Sequence, residues 1–292
     1  MILLDGKETA ASLEVAIKQR IARLQECGVT PGLAVVLVGE NPASQAYVSN
    51  KDRTCQRLGI YSRKLELPVT TTERELLAIV EQLNLDPQIH GILVQSPLPA
   101  HIHERTINLA IDPSKDVDGF HPTNLAKLAM DDPSGFVPCT PLGCQYLLKA
   151  YHIPTRGAHV VVVGRSLIVG KPMALLLLQK GLGGDATVTI AHSQTRDLAA
   201  ITRSAHIVIA ALGRPHALGR EHIGEGAVVI DVGINRIADT SSARGYRLVG
   251  DVDFENVKEK CSAITPVPGG VGPMTIVMLM QNTLTACERL AR

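Results

Sequence analysis

The chain has 292 residues, 45% hydrophobic and 20% charged, which is ordinary globular composition with enough apolar material for two modest cores. Its 29 Lys and Arg nearly cancel 28 Asp and Glu, and Trp is absent, so it offers neither the field that holds a polyanion nor the stacking platforms of single-strand binders. These features argue against a nucleic-acid partner. No apolar run approaches bilayer length, and the opening MILLDGKETA lacks a basic-then-apolar leader pattern, so no membrane partner and a cytoplasmic location are expected. Six cysteines, at 27, 55, 139, 144, 261 and 287, show no CxxC and no Cys/His pairing, which predicts reduced thiols and no metal site.

In chain order, apolar residues at Ala10, Leu13, Ile17, Ile21 and Leu24 recur at three- and four-residue steps, predicting a helix over 5–28 that stops at Gly28. The unbroken LAVVLV at 33–38 reads as a strand buried on both faces. Asn41-Pro42 opens a helix running to Gly59, with Asn as cap and Pro in the first turn. A strand is expected at 60–67, a capping box at Thr72 and Glu75 opens the next helix, and GILVQ at 91–95 forms a third strand. The Pro-, Asp- and Gly-rich stretch 112–141 reads as loops with a short helix and leads to a domain boundary near Thr140. Strands at 159–163, 186–190, 207–210 and 227–232 make a second alternating set, and 273–292 is helical. The fold class is therefore α/β with two domains: a substrate domain over 1–139, onto which helix 273–292 packs back, and a Rossmann-like dinucleotide-binding domain over 140–272.

VVVVGRSLIVGKP places a strand, a glycine turn and a helix start in the order a dinucleotide site requires. Gly164 and Gly170 let backbone approach a pyrophosphate, and the helix start supplies free N–H groups and a favourable dipole. The spacing is GxSxxxG, with Ser166 in the middle, so a plain strand-to-helix turn without ligand shares the pattern. No acid follows the second strand. Ala191, His192, Ser193, Gln194, Thr195 and Arg196 stand there instead, and with Arg165 on the turn they favour the 2′-phosphate of NADP over the free ribose hydroxyl of NAD. Arg165 as a solvated charge and His192 as a ligand-free loop residue are the plainer alternatives.

Tyr47 and Lys51 stand at i and i+4 on one helix face. Alone that pair is common on surface helices. Ser44, Gln95 and Asp118 fall near predicted element ends and complete a polar set that can line one cleft. A lysine facing such a cleft loses proton affinity by desolvation and becomes a usable acid or base, while a neutral glutamine orients it. Asp116 and Asp118 are both candidates for merely capping the Asp-Gly turn.

Several segments together, GLAVVLVG, ASQAYVSNK, GILVQSPLP, KDVDGFHP, PCTP, VVGRSLIVGKP, GAVVIDVGIN, GDVDF and TPVPGGVGPMT, resemble the bifunctional methylenetetrahydrofolate dehydrogenase/methenyltetrahydrofolate cyclohydrolase family over nearly the whole chain. The resemblance implies NADP as cofactor, a reduced folate as substrate, a homodimer, and a cleft between two α/β domains. It implies that Lys51 is the cyclohydrolase lysine, that Tyr47 packs on the folate, that Gln95 tunes Lys51 and that Asp118 holds the pterin, with Ser44 a polar neighbour. Gly270 and Pro273 belong to the loop expected over the substrate. Gly164, Arg165, Ser166, Gly170, His192, Ser193, Thr195, Gly213 and Ile234 are the expected cofactor contacts. Ser96, Ala126 and His206 depart from the family pattern, where Leu, Gly and Asp are expected. Another nicotinamide dehydrogenase, such as a shikimate-type enzyme, and a non-catalytic NADP sensor are the competing readings.

Overall fold

A computed structural model describes residues 1–242 and 245–291. The chain divides into two compact units: Met1–Ala11 with Thr140–Thr275, and Ser12–Cys139 with the segment that begins at Ile276. The second of these is built on a three-stranded parallel sheet in which Gly32–Val38 lies between Tyr61–Leu67 and Gly91–Val94. All seven residues of the middle strand are buried, the reason it reads as a continuous apolar run rather than an alternation. Helix Pro42–Leu58 follows it, with the Asn41 side chain accepting from the Ser44 amide (3.1 Å) in the expected capping role. The Thr72/Glu75 capping box also forms, at the start of helix Glu73–Leu85.

The larger unit carries six parallel strands in the order Ile2–Leu3, Ala263–Ile264, Val228–Asp231, Ile207–Ala210, His159–Val163, Thr187–Ala191. The expected boundary of a first domain at residue 1 is therefore amended. Residues 1–11 go with the larger unit because Ile2–Leu3 hydrogen-bonds alongside Ala263–Ile264. Both two-residue strands, and the antiparallel pair Asn235–Ala238 with Tyr246–Val249, are absent from the sequence-based reading. Two residues are too few for any periodicity, and the strands NRIA and YRLV interrupt their apolar residues with Arg, so neither carries an unbroken apolar run.

The final helix, Val271–Leu290, begins two residues earlier than expected. From Ile276 onward it packs within the smaller unit. Met280 Sδ meets Cys55 Sγ at 3.5 Å, and Arg20 grips Glu288 through two bonds of 3.1 and 2.6 Å. Asn282, 6% exposed, donates its amide to the carbonyls of Val117 (2.8 Å) and Val137 (3.1 Å). It thereby ties together the segments that carry Asp118 and Cys139. No helix among the described residues is long and apolar enough to cross a membrane. Replacing Asn282 by Leu keeps the volume but strips two buried carbonyls of their donor, and a loss of about 2–4 kcal/mol is expected in urea unfolding. A loss below about 0.5 kcal/mol would show that those carbonyls find other partners.

Candidate active site

Helix Pro42–Leu58 presents Ser44, Val48, Lys51 and Cys55 as a buried stripe, with Tyr47 half-buried beside it. Lys51 is only 8% exposed, and its ammonium donates to Gln95 Oε1 at 2.9 Å. The glutamine cannot turn its amide nitrogen toward the lysine, because Nε2 is committed to the Ser96 carbonyl at 2.7 Å. Its backbone is equally fixed, since Gln95 N donates to Val36 O and so extends the sheet ladder one residue past Val94. Burial lowers the proton affinity of Lys51, and the negative charge of Asp118 acts in the opposite, smaller sense. The Asp118 carboxyl is raised by burial, against the pull of Lys51. Both groups are thus pushed toward their neutral forms.

The two candidate aspartates separate cleanly. Asp116 accepts from the amides of Phe120 (3.2 Å) and His121 (2.8 Å) and from Asn124 Nδ2 (2.8 Å), so it is the residue that caps the turn. Asp118 is left to face the lysine. Cys139, absent from the sequence-based candidates although it lies in the PCTP motif, donates its thiol to the Val117 carbonyl at 3.3 Å, and burial holds that thiol protonated. A cysteine among apolar neighbours reads as core packing, and only its position beside Lys51 and Asp118 distinguishes it.

In the larger unit, strand His159–Val163 runs into Gly164, whose φ is +142° and whose position leaves no room for a side chain: a Cβ would come within 2.2 Å of the Ala211 carbonyl oxygen. A Cβ at Gly170 would strike the Gly164 carbonyl at 2.2 Å. Ser166 Oγ accepts from the amides of Val169 (3.1 Å) and Gly170 (3.3 Å), so the residue in the middle of GxSxxxG braces the start of helix Gly170–Leu178. Arg165 and Ser166 are exposed on this turn. Beyond strand Thr187–Ala191, the His192 amide donates to Thr195 Oγ1 at 2.8 Å, a closed turn that leaves Ser193 exposed. Gly213 and Ile234 are exposed as well, and Ile234 lies against Gly272, between Gly270 and Pro273 in sequence.

Two buried carboxylates beneath these loops also escaped the sequence reading. Asp231, 3% exposed at the end of strand Val228–Asp231, accepts from the amides of Gly233, Asp251 and Val252 at 2.9, 3.0 and 2.9 Å. Asp251, fully buried, collects four donors in turn. Their signal was an acid at the end of an apolar strand in GAVVIDVGIN and another in GDVDF. Among the described residues, no group of three or more His, Cys, Asp and Glu is placed to hold a metal ion.

A parallel sheet with a glycine turn into a helix, joined in one chain to a unit bearing a buried lysine–glutamine–aspartate cluster, defines a dinucleotide-binding α/β enzyme. Residues 4–118 match the catalytic domain, and residues 138–291 the NAD(P)-binding domain, described for tetrahydrofolate dehydrogenase/cyclohydrolase. The chain is 55% identical to the bifunctional protein FolD of Prosthecochloris aestuarii over 291 residues, 99% of either chain. Its structure resembles that of the bifunctional FolD methylenetetrahydrofolate dehydrogenase/cyclohydrolase from Campylobacter jejuni, at 48% identity, 99% coverage of both chains and a TM-score of 0.93. It also resembles the Trypanosoma brucei FolD enzyme complexed with NADP cofactor and inhibitor, at 39% identity, coverage of 100% of this chain and 99% of that one, and a TM-score of 0.95. The chain belongs to the tetrahydrofolate dehydrogenase/cyclohydrolase family.

Burial pushes the Asp231 carboxyl up to about 7, although three backbone amides favour its anion. The folded state therefore holds a proton that the unfolded chain releases near the ordinary value of 3.8, and this contribution to stability is present below that value and lost as pH rises toward 7. Asp231→Asn, which mimics the protonated form, is expected to remove a fall on the order of 4 kcal/mol between pH 4 and 7.5 in denaturant unfolding. An unaltered pH slope in the variant would place the titration elsewhere.

Proposed function

We propose that this chain oxidises 5,10-methylenetetrahydrofolate to the 5,10-methenyl compound with NADP, and then hydrolyses that product to 10-formyltetrahydrofolate. The observation that carries the reading is the buried Lys51 amino group held by Gln95 Oε1, its proton affinity lowered by burial, an acid–base group that hydride transfer does not need and hydrolysis does. Family membership and the NADP-bound relative support it.

NADP, when bound, accepts the hydride. The residues suit that cofactor: a glycine turn at a helix start can take a pyrophosphate, Arg165 and Ser193 are exposed donors fit for a 2′-phosphate, and 191–196 contains no acid to repel it. In the methylene substrate two nitrogens flank the reacting carbon, and a lone pair expels the hydride without a protein base. The protein's part in that step is to place the substrate and exclude water. Tyr47 offers a ring face for the folate and Asp118 a carboxyl for its N–H-rich pterin. The family resemblance adds Gly270 and Pro273 to the proposed substrate contacts.

Hydrolysis makes the proton traffic obligatory. Water adds to the methenyl carbon, Lys51 takes a proton from it, and the bond from that carbon to N5 breaks with proton return to N5, leaving the formyl group on N10. Gln95 aims the amine without neutralising it, as a carboxylate partner would. Ser44 lies one helical turn from Tyr47 and lines the same stripe.

A homodimer and a cytoplasmic location complete the proposal. Among the described residues, strand Thr187–Ala191 ends its sheet with one edge unpaired, and Ile190 on it is 42% exposed, a surface on which a second copy can add.

Lys51→Met is expected to abolish hydrolysis of the methenyl compound while NADP still binds; full hydrolysis in that variant sinks the assignment. Arg165→Ala should lower the preference for NADP over NAD by about tenfold, from loss of a charge-assisted phosphate contact, measured as the ratio of kcat/KM values. An unchanged ratio removes Arg165 from cofactor selection.

A further inference from the structure

The loop after strand Ile207–Ala210 lies at the carboxyl edge of a parallel sheet, the edge along which such sheets hold ligands. It contains Gly213. A single side chain from a distant part of the chain fixes it. Asp251 Oδ2 accepts from the amides of Leu212 (2.6 Å) and Gly213 (2.8 Å), and Oδ1 accepts from the amide of Arg214 (2.9 Å) and from Asn235 Nδ2 (2.9 Å). Three successive N–H groups converging on one point form the kind of concavity that elsewhere binds an anion. Here the chain's own carboxylate fills it.

The approach is close enough to depend on a glycine. A Cβ at Gly233 would come within 2.2 Å of Asp251 Oδ1. Asp231 fixes the other side of the arrangement by accepting from the backbone amides of Gly233, Asp251 and Val252. Asn235, the fourth donor to Asp251, directly follows Ile234 in sequence. One fully buried carboxylate therefore sets the loops that carry both Gly213 and Ile234.

We propose that Asp251 is a positioning residue for the nicotinamide cofactor, holding the 212–214 loop and the Ile234–Asn235 segment in the form that receives NADP. This rests on the reading that Gly213 and Ile234 border the cofactor. Asp251 is buried beneath those loops and acts through the backbone it holds, so the predicted effect falls on cofactor affinity and spares the chemistry at Lys51.

Asp251→Asn preserves the shape but leaves one oxygen for four donors, so either amide orientation strands two of them. The KM for NADP in methylenetetrahydrofolate oxidation should rise about tenfold or more, with kcat within about threefold of the parent. Hydrolysis of the methenyl compound without NADP reads the other unit. Asn235→Ala removes a single donor and serves if Asp251→Asn does not fold; its KM for NADP should rise by about two- to fivefold. An unchanged KM for NADP overturns the proposal. So does a parallel loss of both activities and of thermal stability at constant KM, which a purely structural role would give. If the parent protein itself reduces no NADP, the functional reading fails first and the proposal falls with it; an unchanged KM in an active protein refutes the proposal alone.

Discussion

A buried lysine held by a neutral partner is the constraint around which the smaller unit is organised. Taking an ammonium out of water is costly unless its hydrogen bonds are replaced, and a carboxylate at bonding distance would restore its full charge. Gln95 supplies the bond without the charge, and it can do so only because its own amide nitrogen is anchored to the Ser96 carbonyl. That anchoring depends on Gln95 continuing the sheet ladder beyond Val94. Asp118 and the protonated Cys139 thiol occupy the remaining polar environment, and Asn282 from the final helix holds the carbonyls next to both. The reactivity of one amine thus draws on a strand end, a loop and the C-terminal helix.

The larger unit solves a different problem, turning a strand into a helix with backbone packed on backbone. Gly164 and Gly170 are packed so closely that no other residue fits, and Ser166 closes the turn between them. Further along the same sheet edge, Asp251 organises the Leu212–Arg214 loop by accepting its backbone amides, and Asp231 accepts the Asp251 amide in turn. In both places the cost of a strained or desolvated arrangement is met inside the protein, before a ligand arrives.

The α/β alternation, the two-unit organisation and the strand-turn-helix at Gly164 were legible because each rests on runs of at least four apolar residues or on glycine spacing. Lys51 and Tyr47 were legible as a helix pair at i and i+4, although the burial of Lys51 shows only in the fold. What stayed hidden has a common cause. Strand Ile2–Leu3 has no periodicity to read, and its partner Ala263–Ile264 lies about 260 residues away in sequence, so residues 1–11 could not be assigned to the larger unit. Asp231, Asp251, Cys139 and Asn282 act through long-range bonds, and a buried polar residue looks in sequence like any loop or core position. The choice between Asp116 and Asp118 likewise needed the backbone amides of Phe120 and His121, which only the folded turn brings to Asp116.

The proposed hydrolysis depends most directly on the protonation of Lys51. Its side-chain nitrogen can be followed by NMR through a pH titration of the protein with 15N-labelled lysine, the resonance assigned by its disappearance in Lys51→Met. The expected result is a midpoint below the ordinary lysine value of 10.5, since burial outweighs the attraction of Asp118. A midpoint at or above 10.5 would contradict it, because the group would then be a fixed cation and not an amine able to take a proton from water.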